Sequence, residues 1–258
     1  MGFLIGKKIL IVGISNKFSL SWGIAKQMHK YGAELAFTYS KKKKKTKIKN
    51  LVKEVNSNKI FFCDIRIKNS IKNLFKNLYF FWKKFDGIVH SIAFSPLISN
   101  IQKKNIENIT CNDFLSTHEI CSFSLLALIK ESKNFLNFNS SILTLSYIGS
   151  SRYISGYMLL NSAKASLESN IKYLAYSLGK NNIRVNVISS GPIMTVSSRK
   201  IYNFSKILKI SKKFSPLKRN VTLKEIGNTA SFLCSNLSSG ITGQIIYVDA
   251  GFNISGII

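Results

Sequence analysis

Seven short runs of aliphatic and β-branched residues, at 8–12, 33–39, 59–64, 86–91, 140–147, 182–188 and 244–249, are separated by segments of helical spacing. No other feature of the chain limits its fold so strongly. A strand that is apolar along its whole length must be covered on both faces, and helices between successive strands provide that cover. The segments 24–31, 67–84, 111–136, the stretch opened by Tyr157, and 222–234 read as those helices. In the last of them Thr222 and Glu225 have the spacing of a capping box. The expected fold class is α/β, an open, parallel, doubly wound sheet with helices on both faces. The length of 258 residues suits one domain spanning 1–258, and a hydrophobic fraction of 45% is enough for its core.

Several function classes are disfavoured. There is no run of 18 apolar residues, so no membrane insertion is expected. The first residues lead directly into a strand pattern without a basic region ahead of an apolar one, so a cytoplasmic location is expected. Cys63, Cys111, Cys121 and Cys234 are far apart and read as reduced thiols; His29, His90 and His118 lack metal-ligand spacing, so no metal is expected. The formal charge is +27, carried by 33 lysines and 5 arginines. A basic chain attracts acidic partners. These lysines, however, are spread along the chain beside many Asn, Ile and Phe residues, a pattern that reads mainly as codon bias. No nucleic-acid partner is expected. The dense block 41–45 reads as a solvated loop or helix start.

The loop from Gly13 to Gly23 follows the first strand and opens the first helix. In a Rossmann-like sheet this is where backbone N–H groups at a helix N-terminus hold a pyrophosphate. The usual GxGxxG is absent; Gly13, Ser19 and Gly23 stand in a longer loop, where Ser19 can donate to a phosphate and cap the helix. Three more strand ends suit the same ligand. Asp64 can accept from an adenine amine, Ser91-Ile92-Ala93 offers small residues beside a ribose, and residues 191–195 offer backbone atoms to a carboxamide. In such sheets ligands bind outside the carboxyl ends of the strands, so these ends should converge.

After the fifth run comes Ser146-Tyr147, and ten residues later Tyr157 opens a helical segment that carries Lys164. Residues seven apart lie on one helix face, roughly 10 Å apart along the axis. A phenol can donate to an oxyanion forming on a carbonyl oxygen, and a nearby ammonium strengthens that donor and can hold ribose hydroxyls. The spacing alone is weak, because it recurs at Tyr173/Lys180 and Tyr202/Lys209. Position singles out Tyr157 and Lys164: only they follow the fifth strand.

These segments, together with Gly32-Ala-Glu-Leu-Ala-Phe-Thr-Tyr39, His90-Ser-Ile92, Leu143-Thr-Leu-Ser-Tyr147, Lys164-Ala-Ser-Leu-Glu168, Arg184-Val-Asn186, Gly191-Pro192-Ile193 and Val248-Asp249-x-Gly251-Phe252, resemble the bacterial NADH-dependent enoyl-acyl-carrier-protein reductases of the short-chain dehydrogenase/reductase superfamily. The resemblance covers essentially the whole chain. It implies hydride transfer from NADH to the β-carbon of a trans-2-enoyl thioester carried on acyl carrier protein, in fatty-acid elongation. It implies that Tyr157 donates to the thioester oxygen, that Lys164 holds the nicotinamide ribose and that Tyr147 lines the site as a third catalytic residue. Cofactor contacts are implied at Gly13, Ser19, Leu20, Ser40, Asp64, Ile65, Ile92, Lys164, Ile193, Met194, Thr195, Val196 and Ser197, and a substrate contact at Ser95. The insertion at 193–214 would be the substrate lid, and the assembly a homotetramer.

The chain departs from the family pattern at four of these places. Ser40 stands where Gln is usual, Ala93 where Gly is, Ser95 where Ala is and Met194 where Arg is. No carboxylate ends the second strand to claim a ribose 2′-hydroxyl, and five lysines follow, so NADPH stays open beside NADH. The rival readings are a short-chain reductase acting on a ketone, against which Asn161 stands in place of a lysine four after Tyr157, and a basic nucleic-acid-binding protein.

Overall fold

The computed structural model describes residues 2–96 and 106–255. Its strands are β1 (Lys8–Val12), β2 (Glu34–Tyr39), β3 (Ile60–Phe62), β4 (Phe85–His90), β5 (Leu136–Ser146), β6 (Arg184–Ser190) and β7 (Ile245–Val248). They form one sheet in the order β3-β2-β1-β4-β5-β6-β7, and every pair is parallel. The helices are α1 (Leu20–Lys30), α2 (Lys45–Val52), α3 (Ser70–Tyr79), α4 (Cys111–His118), α5 (Ser124–Ser132), α6 (Leu159–Gly179), α7 (Phe204–Phe214) and α8 (Leu223–Leu233). The expected α/β doubly wound fold is therefore present.

Alternation along β1 shows how the layers form. Ile9 and Ile11 join one core with Met28 of α1 and Ile226 of α8. Leu10 and Val12 join the other, with Leu74 of α3, Leu125 of α5 and Leu167 of α6. Successive strand residues face opposite ways, so an apolar run feeds both cores at once. The first and last helices pack closely. A Cβ on Gly23 of α1 would lie 2.7 Å from Leu223 Cβ, and one on Gly227 of α8 would lie 2.6 Å from the Gly23 carbonyl oxygen.

Boundaries differ from the sequence reading in instructive places. The helix expected over 67–84 is only α3, which is flanked by Asn69 in the left-handed region at φ 63°. The long helix expected over 111–136 is broken by a π-helical turn at Glu119–Phe123 and stops at Ser132. β5 then starts at Leu136 rather than Ser140. Its register with β4 shifts between Phe85 and Gly87, and Asn139 takes φ 66°, so the extra residues leave the ladder as a bulge. The expected capping box of α8 is present, with Glu225 N–H donating to Thr222 Oγ1 and Thr222 N–H donating to Glu225. The polar stretch expected to run to Thr110 lies partly outside the described residues, at 97–105. No described helix is long and apolar enough to cross a membrane.

Candidate active site

The chain leaves β1 toward β2 on one side and crosses to β4 on the other, so the order of strands reverses between β1 and β4. That reversal opens a crevice at the carboxyl ends of the strands. A cleft of about 610 Å³ lies there, and it reaches from Ser40 and Lys44 past Gly13 and Ile92 to Tyr147, Tyr157 and Ile193.

At the start of α1, Ser19 is the N-cap, accepting from Trp22 N–H at 3.3 Å. The first amides of a helix have no partner one turn back, and here Leu20 and Ser21 place them on the cleft wall. Gly13 has φ 101°, and a Cβ there would lie 2.3 Å from the Ser91 carbonyl oxygen; only glycine lets β1 turn this close to β4. Gly23, at the other end of the loop, serves the packing of α1 on α8 instead.

Asp64 lies two residues beyond β3. Burial alone would raise its pKa, but hydrogen bonds and charge from Arg66 outweigh that and hold the carboxyl below its usual value. Arg66 donates through Nε and Nη2, at 3.2 and 3.1 Å. The edge of the cleft thus carries an ionised carboxylate that can accept from an amine.

Tyr147 and Tyr157 stack, with ring centroids 4.7 Å apart and planes inclined by 21°. Tyr147 follows β5. Tyr157 does not open α6, as expected, but stands two residues before it, and Met158 between them has φ 33° and ψ −112°. A side chain held in so rare a backbone conformation needs its surroundings to fix it, and such strain gathers at functional sites. Burial first, then the other phenol, raises the Tyr157 pKa well above its usual value, and burial raises that of Tyr147. Both are protonated donors at neutral pH. The Tyr147 hydroxyl is buried and meets no partner with hydrogen-bond geometry among the described residues, so it is available to a ligand oxygen.

Lys164 sits on α6 below this pair. It keeps partial access to the cleft, although protein surrounds its ammonium and desolvation lowers its pKa. Its Nζ donates to the Leu145 carbonyl at 2.8 Å and to the Ile92 carbonyl at 3.4 Å. An ammonium has three donors. The third remains for a hydroxyl in the cleft. His90, at the end of β4, is fully buried between Thr144 Oγ1 and Ser124 Oγ, both at 2.8 Å. Burial pushes its pKa down to about 3, so it is a neutral structural group.

Beyond β6, Thr195 N–H donates to Ser198 Oγ at 2.7 Å and Ser198 N–H returns a bond to Thr195 Oγ1 at 3.0 Å. This reciprocal pair fixes the turn that carries Ile193, Thr195, Val196 and Ser197 on the cleft wall. Its sequence signal is a Thr and a Ser three apart.

Of the expected site residues, the structure brings together Gly13, Ser19, Leu20, Ser40, Asp64, Ile65, Ile92, Tyr147, Tyr157, Lys164, Ile193, Thr195, Val196 and Ser197. Met194 is not on the wall; it is 40% exposed between two residues that are. Ser95 is buried behind Phe94, where Thr117 Oγ1 donates to it at 3.5 Å, and Phe94 rather than Ser95 lines the cleft. Sequence reasoning also missed Ile120 on the π-helical turn, and Ile201 and Phe204 ahead of and on α7.

A strand-reversal cleft with a helix N-terminus at one end and two neutral phenols above an ammonium at the other defines a nicotinamide-dinucleotide-dependent reductase of the short-chain type. The sequence matches the model of the Enoyl-(Acyl carrier protein) reductase family over residues 13–253. The chain belongs to that family. It is 54% identical over 257 residues to the NADH enoyl-acyl-carrier-protein reductase FabI of Buchnera aphidicola from Schizaphis graminum, covering 100% of this chain and 98% of the relative. It is 42% identical to FabI of Escherichia coli K12, covering 99% and 97%. The crystal structure of the Anaplasma phagocytophilum enoyl-acyl-carrier-protein reductase in complex with NAD superposes with a TM-score of 0.94 at 37% identity, covering 99% and 97%.

Proposed function

We infer that the protein is an NADH-dependent enoyl-acyl-carrier-protein reductase, which saturates the trans-2 double bond of enoyl thioesters in the last reductive step of fatty-acid elongation. The observation that carries this reading is the stacked pair of neutral phenols near Lys164, on the wall of a cleft of about 610 Å³ that runs from Ser40 to Tyr157.

A nicotinamide dinucleotide bound there supplies the hydride. The residues present fit it: Leu20 and Ser21 at the start of α1, the Lys164 ammonium, and the Tyr147 hydroxyl, which has no hydrogen-bond partner among the described residues. Hydride delivered to the β-carbon would push the electrons of the double bond onto the thioester oxygen, and the enolate would then take up a proton at the α-carbon to complete the saturation. Tyr157 donates to that oxygen, and Tyr147 lines the same wall. Preorganised donors of this kind stabilise the developing oxyanion. Lys164 holds the ribose.

The single unit 1–258 works with 193–214 as a lid. The apolar face of α7 supports this, since Ile210 and Phe214 pack onto the cluster of Tyr147, Ile148 and Phe252. Its other face exposes Lys206, Lys209, Lys212 and Lys213, which suit an acidic carrier protein at the mouth of the cleft. Exposed Tyr173 and Tyr176 on α6 and Phe114 and Leu115 on α4 are apolar surface for a homotetramer. A cytoplasmic enzyme with no nucleic-acid role accommodates all of these features.

The test is NADH oxidation followed with crotonoyl and acetoacetyl thioesters. Turnover of the enoyl thioester is expected. Turnover of the ketone alone would overturn the reading in favour of a ketone reductase, and salt-sensitive duplex-DNA binding without dinucleotide binding would favour a basic scaffold protein.

A further inference from the structure

Helix α6 grips the end of β5 at three heights. Tyr157, just ahead of the helix, stacks on Tyr147. Lys164 donates to the carbonyl of Leu145 at 2.8 Å. One turn further on, Glu168 accepts a hydrogen bond from Ser146 Oγ. Leu145, Ser146 and Tyr147 are consecutive, and Lys164 and Glu168, four apart, lie on one face of α6. Tyr157 and Lys164 have roles in the proposed function; Glu168 has none yet.

The groups around the Lys164 ammonium give Glu168 its distinctive place. From β4 comes His90, neutral and hydrogen-bonded at both ring nitrogens. From the π-helical turn comes Cys121, whose thiol donates to the Phe94 carbonyl at 3.2 Å and whose pKa burial raises. From the end of β5 and the start of α6 come Tyr147 and Tyr157, both held neutral. Among these described groups Glu168 is the carboxylate, four residues beyond Lys164 on the same face of α6. The Ser146 hydroxyl fixes that carboxylate against the strand whose next carbonyl back Lys164 holds.

We propose that Glu168, anchored by Ser146, is a positioning residue: it supplies the counter-charge that keeps Lys164 ionised at the ribose and locks the strand end that carries Tyr147. This rests on the reading of Lys164 as the ribose-holding ammonium. Burial works against the charged lysine, and Cys121 and then Glu168 oppose that effect. Removing the charge while keeping the hydrogen-bond acceptor should make Lys164 lose its proton at lower pH, and cofactor affinity should follow.

The experiment measures NADH affinity by nucleotide fluorescence from pH 6 to 10, for the full chain and for Glu168→Gln, Ser146→Ala and Lys164→Ala, with melting temperature recorded alongside. In the wild type, affinity falls as pH rises through the Lys164 pKa. In Glu168→Gln that fall is expected to begin about one pH unit lower, the size of effect one nearby charge produces. Lys164→Ala should abolish the fall. A Glu168→Gln profile that coincides with the wild type, with only the melting temperature lowered, overturns the proposal and leaves Glu168 a structural residue. Should Glu168→Gln fail to fold, Ser146→Ala carries the test: its fall should also move to lower pH, and an unmoved one overturns the proposal. A fall that Lys164→Ala leaves intact overturns the ribose role of Lys164, and the role of Glu168 with it.

Discussion

Tyr147 reaches Tyr157 face to face, 4.7 Å between ring centroids, across the gap between the end of β5 and the start of α6. The stack orders both rings, and the buried Tyr147 hydroxyl meets no partner with hydrogen-bond geometry among the described residues. Chemistry and structure can therefore be separated at this pair by removing one oxygen at a time.

Tyr157→Phe keeps the ring and the stack but removes the donor to the thioester oxygen. Positioned proton donors contribute about 10²- to 10⁴-fold, so kcat should fall by at least about 10²-fold while NADH affinity changes little. Tyr147→Phe removes a hydroxyl that has no hydrogen-bond partner among the described residues, so stability should hold and the loss should appear in kcat with the enoyl thioester. Steady-state kinetics with crotonoyl thioester, beside direct NADH titration, checks both. A smaller effect of Tyr157→Phe than of Tyr147→Phe would exchange their roles.

Lys164→Ala leaves the carbonyls of Leu145 and Ile92 without their donor and removes the N–H facing the ribose. Hydrogen bonds to charged groups contribute about 1.5–3 kcal/mol, so NADH should bind about 10- to 100-fold more weakly. Calorimetric titration at neutral pH measures this. Unchanged affinity would remove Lys164 from the cofactor site.

Gly23→Ala tests a glycine whose role changed between sequence and structure. Its new methyl group meets Leu223 Cβ at 2.7 Å and the Leu223 carbonyl oxygen at 2.9 Å. Overpacking of this kind costs about 1–3 kcal/mol, and each kcal/mol lowers Tm by about 2–4 °C at this chain length. A thermal melt should show a loss of several degrees, with NADH affinity nearly intact once folded. Lost NADH affinity with an unchanged melt would return Gly23 to the phosphate loop.

His90 sets a pH limit on stability. Its imidazole is neutral in the fold, with a pKa of about 3, against a usual value of 6.5. Below pH 6.5 the unfolded chain takes up a proton that the fold refuses, so stability present above that value is lost progressively toward pH 3. Between pH 6.5 and 5, above most carboxylate titrations, the melting temperature should decline with falling pH, and His90→Gln should flatten that decline. Equal slopes for both proteins would mean that His90 is not the group responsible.

The fold was legible because each strand is apolar along its length and each helix keeps its spacing; the sheet order then placed Gly13, Ile92, Lys164 and Ile193 at one crevice. Tyr157 was legible only through its position after β5, since the same spacing to a lysine recurs at Tyr173 and Tyr202. What stayed hidden depends on three-dimensional register. The bond from Ser146 to Glu168 spans 22 residues and exists only when α6 lies along β5 at one particular height. The bulge at Asn139 and the strained Met158 are conformations that neighbouring packing imposes. In the sequence Gly23 reads as part of a phosphate loop, because the residue that demands a glycine there, Leu223, lies in the eighth helix.

The adenosine end of the cleft carries the last prediction. Ser40, Lys41 and Lys44 line it just beyond β2, and no carboxylate ends that strand. Burial lowers the Lys44 pKa, and the charges of Lys41, Lys47, Lys200 and Lys43 lower it further. An anion placed among these lysines would relieve their mutual repulsion, and the 2′-phosphate of NADPH is such an anion. A carboxylate at the end of β2 would repel that phosphate; Ser40 does not. We therefore expect NADPH to support turnover beside NADH, with kcat/KM values within about tenfold of each other, a gap of about 1.4 kcal/mol. Added salt should raise KM for NADPH more than for NADH, because partly exposed charges are screened. Lys44→Glu should selectively weaken NADPH and spare NADH, which lacks the phosphate. Parallel assays with both cofactors across a salt series check all three outcomes, and a wild-type enzyme inert with NADPH would show that these lysines serve only the surface.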